Sequence, residues 1–369
     1  MLQNVPVLGV IPQIIGGLLI IICIIIIINR LTIKSFVSLF FVFIITFTTI
    51  LNSNNLILNV KDSIYYITFV LFSFIVVDRE FIINFKQLLE SKMKYLKLNI
   101  ILGNLILIIA LFSKNAYFYE WGDGATYFSG FTYMPHVVAA LCILLILFVL
   151  FYKYYEEKEF IYYIYIIIPV YCILKTGARA YIVPLLLILF SILVKEIGTL
   201  KSSILCIIFS PGLIIAFINT SMFKKFEMLL NFNANFSLLH KLTSGRSEMW
   251  SGLLYHYNYK YNFFEKLIGR SFDNIYEINY IYSGMNVWAH NDVINLLLTT
   301  GIIGVIIYVQ SFYNFYKMSR LVKVNIVIKI SYLISFVFLA LMNGLYVQIA
   351  MVFCLPLYWI VFDERGKKC

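Results

Sequence analysis

Long apolar stretches alternate with short polar connections along most of the chain. The apolar runs lie at 7–28, 36–51, 64–77, 98–112, 134–152, 160–174, 181–194, 202–219, 291–315, 330–342 and 345–362, about eleven in all. Most are long enough, as α-helices, to cross or nearly cross the ~30 Å hydrocarbon layer of a bilayer. The pattern therefore predicts an all-α, polytopic integral membrane protein with about 11 transmembrane helices. It forms one membrane domain over residues 1–369, with a single large outer loop, 220–290, between the eighth and ninth spans.

The connections divide into two sets that alternate along the chain. One set holds Arg30 and Lys34, the stretch from Arg79 to Lys97, Lys153 and Lys158, Lys195 and Lys201, 317–329, and Arg365 to Lys368. It is basic and mostly short, which marks the cytoplasmic side. The other set comprises 52–63, 113–133, 175–180 and 220–290, and its short members are poor in Lys and Arg. These face outward, so the N-terminus is expected outside and the C-terminus in the cytoplasm. The first run lacks a basic leader and is long enough to span, so it is read as a retained helix rather than a signal peptide.

Composition narrows the class further. The chain is 62% hydrophobic and 13% charged, with mean hydropathy +0.90, and a soluble domain of this size could not cover such a surface with polar groups. The net charge of +11 does not point to nucleic acid, because the basic residues sit mainly between spans. Of six cysteines, Cys23, Cys142, Cys172, Cys206 and Cys354 fall within apolar runs and Cys369 ends the chain. None has metal-ligand spacing, so they read as small hydrophobes. The 220–290 loop is rich in aromatics, among them Trp250, Tyr257, Tyr261, Phe272 and Trp288. That richness argues for a segment packed on the membrane face or over a cavity, not for a linker.

Four places carry polar residues that call for a reason. "HND" sets His290, Asn291 and Asp292 at the outer lip of the ninth span, either as a plain helix cap or as a site in which the helix dipole keeps the imidazole neutral. "LKTGARAYIVP" brings Lys175 and Arg179 into a very short outer loop, on one face if the segment is helical. Lys175 can simply snorkel, whereas Arg179 has the planar fork that suits a phosphate. "TSGRSEMW" offers Arg246, with Glu248 and Trp250 as contacts that could staple the loop, and "LIGRSF" adds Arg270. In 113–133 and just beyond it, Glu120, Asp123 and His136 read as parts of an exposed, irregular loop. Signatures for nucleotide binding, serine hydrolysis, zinc hydrolysis or sugar-nucleotide use do not occur.

In this order, these fragments resemble the O-antigen polymerase and O-antigen ligase superfamily of bacterial envelope glycosyltransferases, over about residues 170–312. "KTGARAYIVP" looks like the family's Thr-x-Ser-Arg-Gly segment, with Ala178 and Ala180 at the Ser and Gly places. "GRSEMW" is similar to its Arg-x-x-x-Trp, "LIGRSF" to its Gly-x-Gly, and "HNDVINLLLTTGIIG" to its His-Asn segment, with Thr299 where Glu is common.

The resemblance implies a polymerase of undecaprenyl-diphosphate-linked oligosaccharide repeat units, acting at the outer face of the bacterial cytoplasmic membrane with no cofactor or metal. Arg179 and Arg246 would hold the diphosphate and His290 would be the general base, with Lys175, Arg270, Asn291, Asp292 and Trp250 around the substrate. Besides the bilayer, a flippase and a chain-length regulator are the expected protein partners. Two alternatives stay open: ligase-type transfer to another acceptor, and a flippase for the same lipid-linked unit.

Overall fold

In a computed structural model, residues 6–29, 33–120, 126–132, 134–157, 160–218 and 245–364, with 223, 227 and 243, are described. Asp123, Cys369 and most of 219–244 lie outside the described residues.

The described chain is mostly helical, with one two-stranded hairpin of Tyr119–Glu120 with Thr126–Tyr127. In chain order the helices are α1 (Pro6–Asn29), α2 (Ile33–Leu51), α3 (Leu56–Val76), α4 (Arg79–Ser91), α5 (Met93–Phe112), α6 (Pro135–Tyr152), α7 (Ile164–Lys175), α8 (Ile182–Ile197) and α9 (Thr199–Ile218). They continue as α10 (Arg246–Tyr259), α11 (Phe263–Ile268), α12 (Asn274–Ser283), α13 (Asp292–Thr299), α14 (Gly301–Lys317), α15 (Ile326–Met342) and α16 (Ile349–Phe362).

Helix covers each apolar run, and four helical segments are long and apolar enough to cross a membrane: Leu56–Val76, Met93–Phe112, Pro135–Glu156 and Arg179–Ile197. Shorter apolar helices accompany them. The apolar window of α6 is 67% buried against 22% for α5, so α6 is central and α5 peripheral. Around α6 pack α5, α7 and α16, while α3 contacts α1, α2, α14 and α16. Several buried aromatics find partners for their polar handles. Trp359 Nε1–H donates to the Phe315 carbonyl at 2.9 Å, and Tyr358 shares a 2.7 Å bond with Ser191. Phe43, Ile109, Phe112 and Ile207 instead point outward and are exposed, which suits a hydrocarbon surround.

Hydrogen bonds sort the connections into two groups at opposite ends of the bundle. At one end the Asn54 and Asn55 amides donate to Asp273, the Phe128 amide donates to the Lys175 carbonyl, and Asn291 donates to the Leu341 carbonyl. At the other, Lys153 pairs with Glu196 at 2.6 Å, Lys195 donates to the Val361 carbonyl, and Lys323 and Asp363 join through the backbone. Asn54, Asn55, Phe128, Lys175 and Asp273 of the first group belong to base-poor connections, and Lys153, Lys195 and Lys323 of the second to basic ones.

The run 291–315 is not one helix. It breaks at Thr300–Gly301, where Gly301 has φ +67°, leaving α13 and α14 as separate rods. A left-handed residue is cheap only for glycine, and a Cβ here would overlap the Leu267 backbone. The break frees the Leu298 carbonyl, which accepts from the Arg270 amide at 3.2 Å and the Tyr261 hydroxyl at 3.1 Å. As a result α13 joins α10, α11 and α12 in a peripheral module with its own core, including Met249, Leu253, Tyr257, Ile278 and Leu298.

Candidate functional site

Arg179 is positioned by a turn. Helix α7 ends at Lys175, and the Thr176 hydroxyl donates to the Ile173 carbonyl while accepting from the Ala178 amide at 3.2 Å. Gly177, at φ +63°, then reverses the chain, and a Cβ there would stand 2.5 Å from the Tyr127 ring. Arg179 opens a short 3₁₀ turn into α8. Lys175 and Arg179 thus do not share one helical face, because the helix stops between them. The Lys175 ammonium lies over the Tyr171 ring at 5.4 Å.

Arg246 is the first residue of α10, set by Gly245 at φ +82°. Its guanidinium donates to the carbonyl of Met342, the last residue of α15, whose helical partner is missing at that helix end. The arginine thus bridges the peripheral module to the bundle instead of merely stapling its own loop.

His290 is the one non-glycine residue with positive φ among the described residues, at +52°. Histidine tolerates this region better than most side chains. The turn separates its ring from its two neighbours. Asn291 caps α13, accepting from the Ile294 amide at 3.1 Å and donating to the Leu341 carbonyl at 3.0 Å. Asp292 is fully buried and points the other way, accepting from the Tyr308 hydroxyl at 2.6 Å and the Leu345 amide at 2.8 Å. Their recorded bonds tie elements together, and neither residue orients the imidazole. Trp250 Nε1–H donates to the Ala289 carbonyl at 2.7 Å and so fixes the backbone just before His290. The Trp288 ring stands 4.7 Å from the His290 ring.

The convergence of charge decides the character of the site. Burial first, then the neighbouring Arg179, lowers the Arg246 guanidinium to about 10, with Tyr119 opposing the shift. Both arginines remain cationic at neutral pH. His290 is held well below the ordinary histidine range by burial first, then by Arg246 and His136. Its Nδ1 is buried with no hydrogen-bond partner among the described residues. Nor does either arginine form an ion pair with a carboxylate among the described residues. Arg179 thus acts on Arg246, and Arg246 and His136 act on His290, which makes this an electropositive corner around a neutral imidazole.

Arg270 does not join them. It is exposed and pairs with Glu265 at 3.2 Å. Thr299 is fully buried, its hydroxyl unpartnered among the described residues.

His136, read from the sequence as part of an exposed loop, instead lies in the first turn of α6, with its ring 6.4 Å from the His290 ring. The signal available was a second His directly at a helix start, here after Pro135. The segment around it is folded rather than loose, with Phe128 and Ser129 fully buried. Tyr119 and Tyr127 of the hairpin reach Arg246 and Arg179 electrostatically.

No protein-family model, curated protein or solved structure matches the chain.

Proposed function

We propose that the protein is a metal-independent glycosyltransferase that polymerises undecaprenyl-diphosphate-linked oligosaccharide repeat units for a surface polysaccharide. In this reading eleven helical segments cross the bacterial cytoplasmic membrane, and the corner of Arg179, Arg246 and His290 opens at its outer face. The observation that carries the proposal is two half-buried arginines, Arg179 beside Arg246 and Arg246 beside a neutral His290, with no carboxylate paired to either arginine among the described residues. Desolvating an unpaired cation costs several kcal/mol, and a diphosphate at the bilayer surface would offset that cost.

The chemistry follows from these groups. The anomeric carbon of the growing chain is already activated by its lipid diphosphate. An acceptor hydroxyl attacks that carbon and passes its proton to His290 as the glycosidic bond forms and the anomeric C–O bond to the diphosphate breaks. The departing diphosphate gains charge, and Arg179 and Arg246 stabilise it by fixed, bidentate donors. Anion binding also favours imidazolium, so a histidine depressed in the free protein becomes a stronger base once the substrate is seated.

The test is elongation of lipid-linked repeat units by purified protein in liposomes without an ion gradient. Wild type should give a ladder, while Arg179→Ala and Arg246→Ala should each lose ~10²-fold or more, the scale of a lost transition-state donor. Arg→Lys should restore only part, since a point charge cannot reproduce the planar fork. Transmembrane movement of the lipid without elongation would instead mean a flippase, and single transfer to a different acceptor would mean a ligase.

A further inference from the structure

The same end of the molecule carries a second cleft, of about 320 Å³, where the connection between α2 and α3 meets α12. That size falls at the lower end of the ~300–1,000 Å³ range of small-molecule sites. Its walls include Asn54, Asn55, Asp273, Glu277, Tyr280 and Asn286.

Asp273 stands directly before α12 yet makes no capping bond to it. Its Oδ2 reaches across the cleft and accepts from the Asn54 and Asn55 amides at 2.9 and 2.6 Å. The residue is only 6% exposed, and its Oδ1 is buried with no donor among the described residues. A buried acceptor left unpaired costs about 1–3 kcal/mol, more when charged, so the position has room for a donor that the described residues do not supply. Glu277 lies one turn further along α12, exposed, and accepts from the Asn54 side chain at 3.2 Å. Tyr280 is 62% exposed, its ring on the rim.

Two carboxylates, three amides and an open aromatic face offer acceptors, mixed polar contacts and a stacking plane. A metal ion is the poorer match, because no three metal-ligating side chains come together among the described residues. The nearby Asp62 is turned to the Tyr276 hydroxyl at 2.7 Å. An acidic sugar is disfavoured by the carboxylates, whereas a neutral sugar supplies hydroxyl donors and an apolar ring face. The cleft also connects to the first site. From α12, Asn279 donates to the Val287 carbonyl at 2.7 Å, in the strand of chain that leads to His290.

We propose that this cleft binds a neutral sugar residue and serves as the acceptor-glycan subsite. Its acceptor role rests on the polymerase reading, but sugar binding does not. The protein in lipid nanodiscs is to be tested by saturation-transfer NMR against a panel of neutral hexose and N-acetylhexosamine disaccharides, their uronate counterparts, and calcium chloride. At least one neutral disaccharide should bind, the uronates at least tenfold more weakly. Glu277→Gln with Tyr280→Ala, both exposed and tolerable to the fold, should weaken the neutral sugar at least tenfold. Arg179→Ala should leave it unchanged.

Absence of binding by every neutral disaccharide, binding indifferent to the double variant, or competition by calcium alone would each overturn the proposal. Binding without any elongation by wild type would sink the polymerase reading and leave the cleft standing. Elongation by the double variant at wild-type acceptor KM would remove the acceptor role.

Discussion

At the scale of single residues, His290 carries the sharpest expectation. Its depression by burial and by Arg246 means the free protein holds it neutral well below pH 6.5. Activity should therefore fall on acidification, as the base takes up a proton. The acid limb of kcat/KM, which reports the free enzyme, should lie well below the ordinary histidine value. The kcat limb should lie higher, because bound diphosphate favours imidazolium. Removing a neighbouring positive charge must raise the pKa, so Arg246→Gln should move the kcat/KM limb upward in whatever activity remains. His290→Gln should cut turnover by roughly 10²–10⁴-fold with lipid-linked substrate still bound. Equal rates for the wild type and His290→Gln across pH 5–8 would remove the general base from the mechanism.

The residues that stood out in the sequence did so for a physical reason. Arg179, Arg246 and His290 are polar groups on a side where the short connections are base-poor, so each called for a partner. The weight of His136 was not legible, because it comes from a ring 154 positions away, just before α13. Asp292 was legible as polar but not in its role. Only the fold shows that its carboxylate accepts from the Tyr308 hydroxyl and the Leu345 amide.

At the scale of elements, hydropathy located the helices but not the break within the ninth. Leu296 to Ile307 reads as one apolar run, and nothing local says that the Leu298 carbonyl will be taken by Arg270 and Tyr261. Tertiary partners make the interruption affordable. Once it exists, α13 is free to join the peripheral module and to present His290 from its start. The Lys175–Arg179 pairing failed for a similar reason, since the Gly177 turn exists to pass the Tyr127 ring. Gly301→Ala tests the break. It forces a side chain into a left-handed position, at ~1–2 kcal/mol per residue, and into the Leu267 backbone. The variant should unfold at lower temperature in detergent by several degrees and should lose turnover through a misplaced His290. An unchanged melting temperature together with unchanged turnover would show that the break is not needed.

At the scale of the whole molecule, the segregation of connections is the strongest link between pattern and fold. Alternation of basic and base-poor segments was read along the chain, and hydrogen bonds between residues far apart in sequence gather the same segments at two ends. Charge alone supplies the direction: the end with Lys86, Lys153, Lys195 and Lys323 should face the cytoplasm. The reaction depends on that direction, because lipid-linked repeat units would meet Arg179, Arg246 and His290 only if their end faces outward. Single cysteines at Tyr259, 73% exposed in the peripheral module, and at Lys92, exposed just after α4, provide the measurement in a background whose native cysteines are replaced by alanine. A membrane-impermeant thiol reagent on intact spheroplasts should modify Tyr259→Cys and spare Lys92→Cys until the membrane is opened. Labelling of Lys92→Cys in intact cells would invert the molecule, turn the arginines toward the cytoplasm and take the outer-face polymerase with it.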